Sequence, residues 1–164
     1  MAISAYAALW FLPFALPICI WVAWSDLKFM KIPNKAVLAL TVVFLVIGLI
    51  VIPLADYPWR LLHLVVVLIV GFALNMAGMI GAGDAKFAAA MAPFVLLGDL
   101  RLFLVLFGAV MIAAFITHRV FRRIPAVVRR TPDWVSWTSG KFPMGLALGG
   151  SLAIYLALGV AQGV

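Results

Sequence analysis

Apolar runs dominate this chain and leave little choice of fold. Uninterrupted or nearly uninterrupted hydrophobic stretches occupy positions 4 to 24, 36 to 54, 60 to 80, 101 to 118 and 143 to 162, with a shorter one at 85 to 97. A helix needs about 20 residues to cross a hydrocarbon layer about 30 Å thick. Five of the runs meet that length. The sixth, "AKFAAAMAPFVLL", would rise only about 20 Å as a helix and must sit among neighbours or beneath a thinned bilayer. In lipid every backbone polar group has to be satisfied within the segment, so runs of this kind become helices. The expectation is an all-α, polytopic membrane protein, a single domain over 1–164 with six transmembrane helices. Its one long connection is a basic loop at about 118–142.

Composition supports the same class: 68% of the residues are hydrophobic and 10% are charged, far from the balance of a soluble domain. The formal charge of +7 raises the question of nucleic acid. The basic residues, however, fall in short clusters between apolar spans rather than on one polar face. If the connection after the first span is cytoplasmic, alternation places Lys28, Lys31, Lys35, Lys86, Arg119, Arg122, Arg123, Arg129, Arg130 and Lys141 inside and only Arg60 and Arg101 outside. That asymmetry sets both termini on the outer side. The first 24 residues lack a positive leading region and exceed a signal-peptide core, so they read as a retained span. The loop at 118–141, with Trp134 and Trp137, reads either as a surface lying on anionic lipid or as a solvated basic loop; Pro125 and Pro132 exclude one continuous helix. Cys19 is the only cysteine and reads as a small buried hydrophobe.

There is no glutamate, so each of the five aspartates carries weight. Asp56, Asp99 and Asp133 read as water-facing loop residues. Asp26, in "WSDLKFMKIPN", ends the first span, and Asp84, in "GAGDAKF", follows the third. Both spans run from outside to inside, so the topology delivers both acids to one membrane face. Pro33 cannot occupy a helix interior and Asn34 is a good N-cap, so "IPN" turns the chain into the second span. Gly81 and Gly83 permit positive φ or close backbone approach, and Asp84 reads as the cap of the helix that follows. Two carboxylates brought together cannot both ionise easily. They share a proton, and one can activate water while the other polarises a peptide carbonyl. That chemistry needs no metal and no cofactor. The chain also lacks the sequence signatures of zinc, serine and paired-cysteine sites. His63 and His118 read as interfacial or packed residues.

The sequence "D-x-K-x-x-K-I-P-N" at 26 to 34, "G-A-G-D-A-K" at 81 to 86 and "K-F-P-M-G-L-A-L-G" at 141 to 149 resembles the type IV prepilin peptidases, membrane aspartic proteases with a GxGD motif. The closest likeness is to the short form that serves Flp-type tight-adherence pili. The resemblance implies a multi-pass enzyme of the bacterial inner membrane that removes a basic leader from prepilins at the cytoplasmic face. It makes Asp26 and Asp84 the catalytic pair, Gly81 and Gly83 the loop presenting Asp84, and Lys86 a motif position to which the sequence gives no role beyond contact with a lipid headgroup. Longer members carry a paired C-x-x-C region and also methylate the new pilin end. This chain has neither motif, which argues against methyl transfer. Two rival readings are a small transporter or channel subunit with Asp26, Asp84 and Asn75 on a polar pathway, and a non-catalytic pilus-assembly protein that docks through its basic loop. Helix ends suggest a division of labour, with Asp84 charged at a helix start and Asp26 protonated at a helix end.

Overall fold

The computed structural model describes all 164 residues and contains helices and turns only. Seven α-helices follow one another: α1 (Ala5–Phe29), α2 (Asn34–Val51), α3 (Tyr57–Met76), α4 (Ala82–Met91), α5 (Leu100–Phe121), α6 (Pro125–Arg130) and α7 (Met144–Gln162). Five of the apolar segments, those of α1, α2, α3, α5 and α7, are long and apolar enough to cross a membrane. The short fourth run is different. It gives the ten-residue α4 and a 3₁₀ turn (Ala92–Phe94), because Pro93 has no N–H to continue the α-helical ladder. At 1.5 Å per residue α4 rises only about 15 Å, half the depth of a bilayer. The basic loop contains α6 and a 3₁₀ turn (Val135–Trp137) instead of one helix, as Pro125 and Pro132 require.

The most intimate packing is between α1 and α7, where glycines let two backbones approach. A methyl group on Gly149 would stand 2.7 Å from the Cys19 carbonyl oxygen, and one on Gly159 would stand 2.9 Å from the Ala8 side chain. Cys19 is fully buried in this seam. Aromatic rings fill the bundle beside it: Phe11 stacks on Phe44 at 5.8 Å, and Phe94 meets both edge-on at 4.8 and 5.3 Å. Phe94 comes from the 3₁₀ turn, so α4 is fixed in the bundle at its far end although it stops short.

Asp99 departs from its expected place in a water-facing turn. It is buried, and its carboxyl accepts the backbone N–H groups of Ala2 at 2.7 Å and Ile3 at 2.9 Å and the Tyr155 hydroxyl at 2.9 Å. The residue before α5 therefore ties the entrance of α1 to α7. Sequence alone offered no sign of this, since the partners lie far away along the chain. Replacing Asp99 by Ala strands the buried Ile3 N–H and the Tyr155 phenol and frees the part-buried Ala2 N–H, and the cost is on the order of 3 kcal/mol. Thermal unfolding in detergent should show a clearly lowered midpoint, with a smaller loss for Tyr155→Phe.

Candidate active site

The acids are delivered by two helix ends that the chain shapes in different ways. Helix α1 ends because Met30 turns into the left-handed region at φ 53° and its N–H caps the Asp26 carbonyl at 2.9 Å. The Ser25 hydroxyl donates to the Lys31 carbonyl at 2.9 Å and folds the following strand of chain back. Asp26 is thereby held in the last turn of α1, facing inward and buried. On the other side, α3 ends in a Schellman arrangement: Gly78, at φ 73°, donates to Asn75, and Met79 donates to the Leu74 carbonyl, the bonds that close such a motif. The Asn75 side chain also donates to the Ile80 carbonyl at 2.8 Å. The glycine that stops α3 is therefore Gly78, rather than Gly81 or Gly83.

Gly81 and Gly83 serve by giving room. Both have negative φ, and neither adopts the left-handed conformation the sequence allowed. Gly81 is the N-cap of α4, and a methyl group there would fall 2.5 Å from an Asp84 carboxyl oxygen. One on Gly83 would come within 3.2 Å of Ile32 in the turn after α1. Asp84 is then not the cap itself but a residue of the first turn of α4, and its carboxyl lies over Gly81.

Pro33 and Asn34 also exchange the places expected of them. Pro33 is the N-cap of α2 and Asn34 its first residue, with no side-chain cap. The Asn34 amide oxygen instead accepts the Lys86 ammonium at 3.3 Å. Lys86 thus links α4 to the start of α2 at an exposed position, a role that its motif position did not reveal.

Asp26, Gly81, Gly83 and Asp84 meet in one cavity of about 720 Å³ at the basic end of the bundle. Pro33, Asn34 and Lys86 stay outside its lining and support the two helix starts beside it. The sequence reading missed the far wall, which is formed by Lys141, Phe142 and Met144. From the same segment the Gly145 N–H donates to Asp26 Oδ2 at 2.6 Å. The late "K-F-P-M-G" stretch carried the signal, but no single residue in it announced a role. The loop above is fastened by a Lys28–Asp133 ion pair at 2.7 Å and by Arg122, which donates to the Ser139 carbonyl at 3.5 Å. The Lys28 ammonium holds the Asp133 carboxyl below its ordinary range. His118 is a packed residue, its ring stacked on Trp137 at 5.2 Å.

Burial pushes the Asp84 carboxyl above its ordinary value, and the Gly81 N–H opposes that shift. Asp26 lies at the C-terminal end of its own helix, but Gly145 belongs to the first turn of α7. Its carboxyl therefore faces the positive end of a second helix. The helix-end argument for a charged Asp84 and a neutral Asp26 is weakened on the Asp26 side, because its carboxyl accepts an N–H from a helix start. Two acids lining one cavity have the chemistry to hold a single proton between them and leave a carboxylate free to deprotonate water.

Comparison with curated proteins and with solved structures gives no match. The model of the type IV leader peptidase family matches residues 13–118, more than half of the chain and a span that contains both Asp26 and Asp84. The chain belongs to the type IV leader peptidase family, a family of proteases.

Proposed function

We propose that this protein is an intramembrane aspartic endopeptidase that cuts the basic leader from Flp-like prepilins at the cytoplasmic face of the bacterial inner membrane. The observation that carries the reading is the placement of Asp26 and Asp84 on one cavity at the basic end of a helical bundle. In this mechanism one carboxylate removes a proton from water, and the partner, still protonated, polarises the scissile carbonyl. The new oxygen–carbon bond forms as the carbonyl opens, and proton return to the amide nitrogen releases the leader. Positive-inside asymmetry supports the cytoplasmic orientation. A polar transport path is less well supported, because both acids lie at one end of the bundle instead of along it.

The test is reconstitution of the purified chain in proteoliposomes with a prepilin-type substrate, followed by mass spectrometry of the products. Cleavage at the junction between leader and apolar helix is expected. A folded, inserted chain that leaves the substrate intact would overturn the assignment.

A pH profile checks the shared proton. The competent pair holds one proton. Acid adds a second and silences the base; alkali removes the only one and silences the acid. Burial of Asp84, which raises its carboxyl, shifts the alkaline limb toward neutrality. The kcat/KM profile should therefore be bell-shaped and report the macroscopic constants of the pair. Activity that keeps rising to the alkaline limit of protein stability would be incompatible with this mechanism.

A further inference from the structure

An apolar groove of about 650 Å³ opens between α3 and α5 over the place where α4 stops short. Fifteen of its sixteen lining residues are hydrophobic, His63 being the exception. Its walls are helical stripes. Leu62 and Val66 on α3 face Leu100, Leu104 and Phe107 on α5, at the three- and four-residue spacings that place side chains on one face. The floor is α4 and the 3₁₀ turn after it, through Ala88 and Ala92.

That floor leads to the acids. Asp84, Ala88 and Ala92 are successive positions four residues apart, so they form one stripe along α4 and into the 3₁₀ turn that follows it. With Gly83 they are the half-exposed residues of this stretch, whereas Ala85, Phe87, Ala89, Ala90 and Met91 are buried. The stripe runs about 12 Å from Asp84 to Ala92. It joins the 720 Å³ cavity at its basic end to the apolar groove at its other end.

We infer that the groove is the docking site for the substrate's own transmembrane helix, which takes the position in the bundle that the short α4 leaves open. This inference rests on the peptidase reading above and adds where the substrate lies. A helix laid along the stripe starts beside Asp84 and runs outward between α3 and α5, so the peptide bond that precedes it falls at the acids. The alanine floor suits a helix. Small residues let two backbones approach, and packing of that kind, rather than the hydrophobic effect, holds helices together in lipid. A disordered acyl chain would gain little from such a floor. The arrangement also supplies specificity without charge: the groove measures distance from an apolar helix to the acids, and a leader of any basic sequence is cut at the same bond.

The test uses two substrates. One is a prepilin-type polypeptide with a basic leader, the junction and an apolar helix of about 20 residues; the other is the same leader and junction ending before the helix. Ala88→Phe and Ala92→Phe fill the floor. Val46→Trp, on the exposed face of α2 away from the groove, is the control. The expected result is at least a tenfold loss of kcat/KM for the long substrate in both floor variants, carried by KM, with the short peptide and the control variant unchanged. Equal cleavage of the long substrate by all variants would overturn the docking site and leave the peptidase reading intact. Cleavage of neither substrate by the unaltered chain would remove both. A photo-crosslinking residue at Leu104 in the Asp84→Asn chain reads occupancy without catalysis and decides the matter if the floor variants fold poorly. Adducts with the substrate helix are expected, and adducts with lipid alone would overturn the proposal.

Discussion

Replacing Asp84 by Asn should leave a chain that inserts and folds but cleaves a prepilin leader more slowly by on the order of 10²- to 10⁴-fold, the contribution of a positioned acid or base. Asp26→Asn should do the same, and the double variant should be no worse, because removing either member disables one proton-sharing unit. The fold should not suffer. Asn has the size and shape of Asp and leaves the first turn of α4 as it is. The sign of the stability effect follows from burial. The carboxyl of Asp84 is raised in the folded chain, so its favourable contribution is present in acid and is lost as pH rises through its folded value. At neutral pH and above, removing the ionisable group removes that cost, and the thermal midpoint of Asp84→Asn should equal or exceed that of the unaltered chain. An inactive but undiminished protein is what a catalytic acid predicts. A non-catalytic docking protein would tolerate the change, and substantial cleavage by either single variant would remove the dyad.

How far the sequence reaches can be judged at particular residues. Helices were legible because lipid leaves the backbone no alternative, and the fourth run was marked as short by its length, but it was expected as a sixth span and Pro93 was not read as its stop. The convergence of Asp26 and Asp84 was legible through topology, since two spans of the same direction end on the same side. What failed was local geometry and long-range contact. Gly81, Gly83 and Gly78 are alike in a string, yet only Gly78 has positive φ; the other two are small because Asp84 and Ile32 lie against them. Asn34 had the chemistry of a cap but found Lys86 of α4 instead. Asp99 looked like a turn residue because its partners, Ala2, Ile3 and Tyr155, are at the two ends of the chain. No periodicity records a contact of that range. The same limit hid Gly145, whose importance lies wholly in what α1 brings to it.

Gly145→Ala should therefore inactivate the protein almost as fully as loss of an acid. A methyl group there would stand 2.8 Å from the Asp26 Cβ and 3.1 Å from its Oδ2. The first of these is no flexible tip that can swing aside, so either the start of α7 must withdraw or α1 must turn. Both movements break the 2.6 Å bond from the Gly145 N–H and take Asp26 out of register with Asp84. A displacement of this size costs on the order of 10²-fold in rate when reacting groups have to align. If Asp26 acts on the reacting bond, as proposed above, and the substrate helix docks in the apolar groove, the loss should fall on kcat, with KM little changed. Gly149→Ala is the informative comparison. Its methyl group would press on the Cys19 carbonyl oxygen at 2.7 Å, one turn along the same seam, where overpacking costs about 1–3 kcal/mol of stability. The two glycines should thus separate: Gly149→Ala lowers the thermal midpoint and keeps more of the turnover per folded molecule, while Gly145→Ala loses turnover out of proportion to its stability. Equal kcat in Gly145→Ala and the unaltered chain would show that the start of α7 does not position Asp26, and the backbone N–H at 2.6 Å would then be a structural bond only.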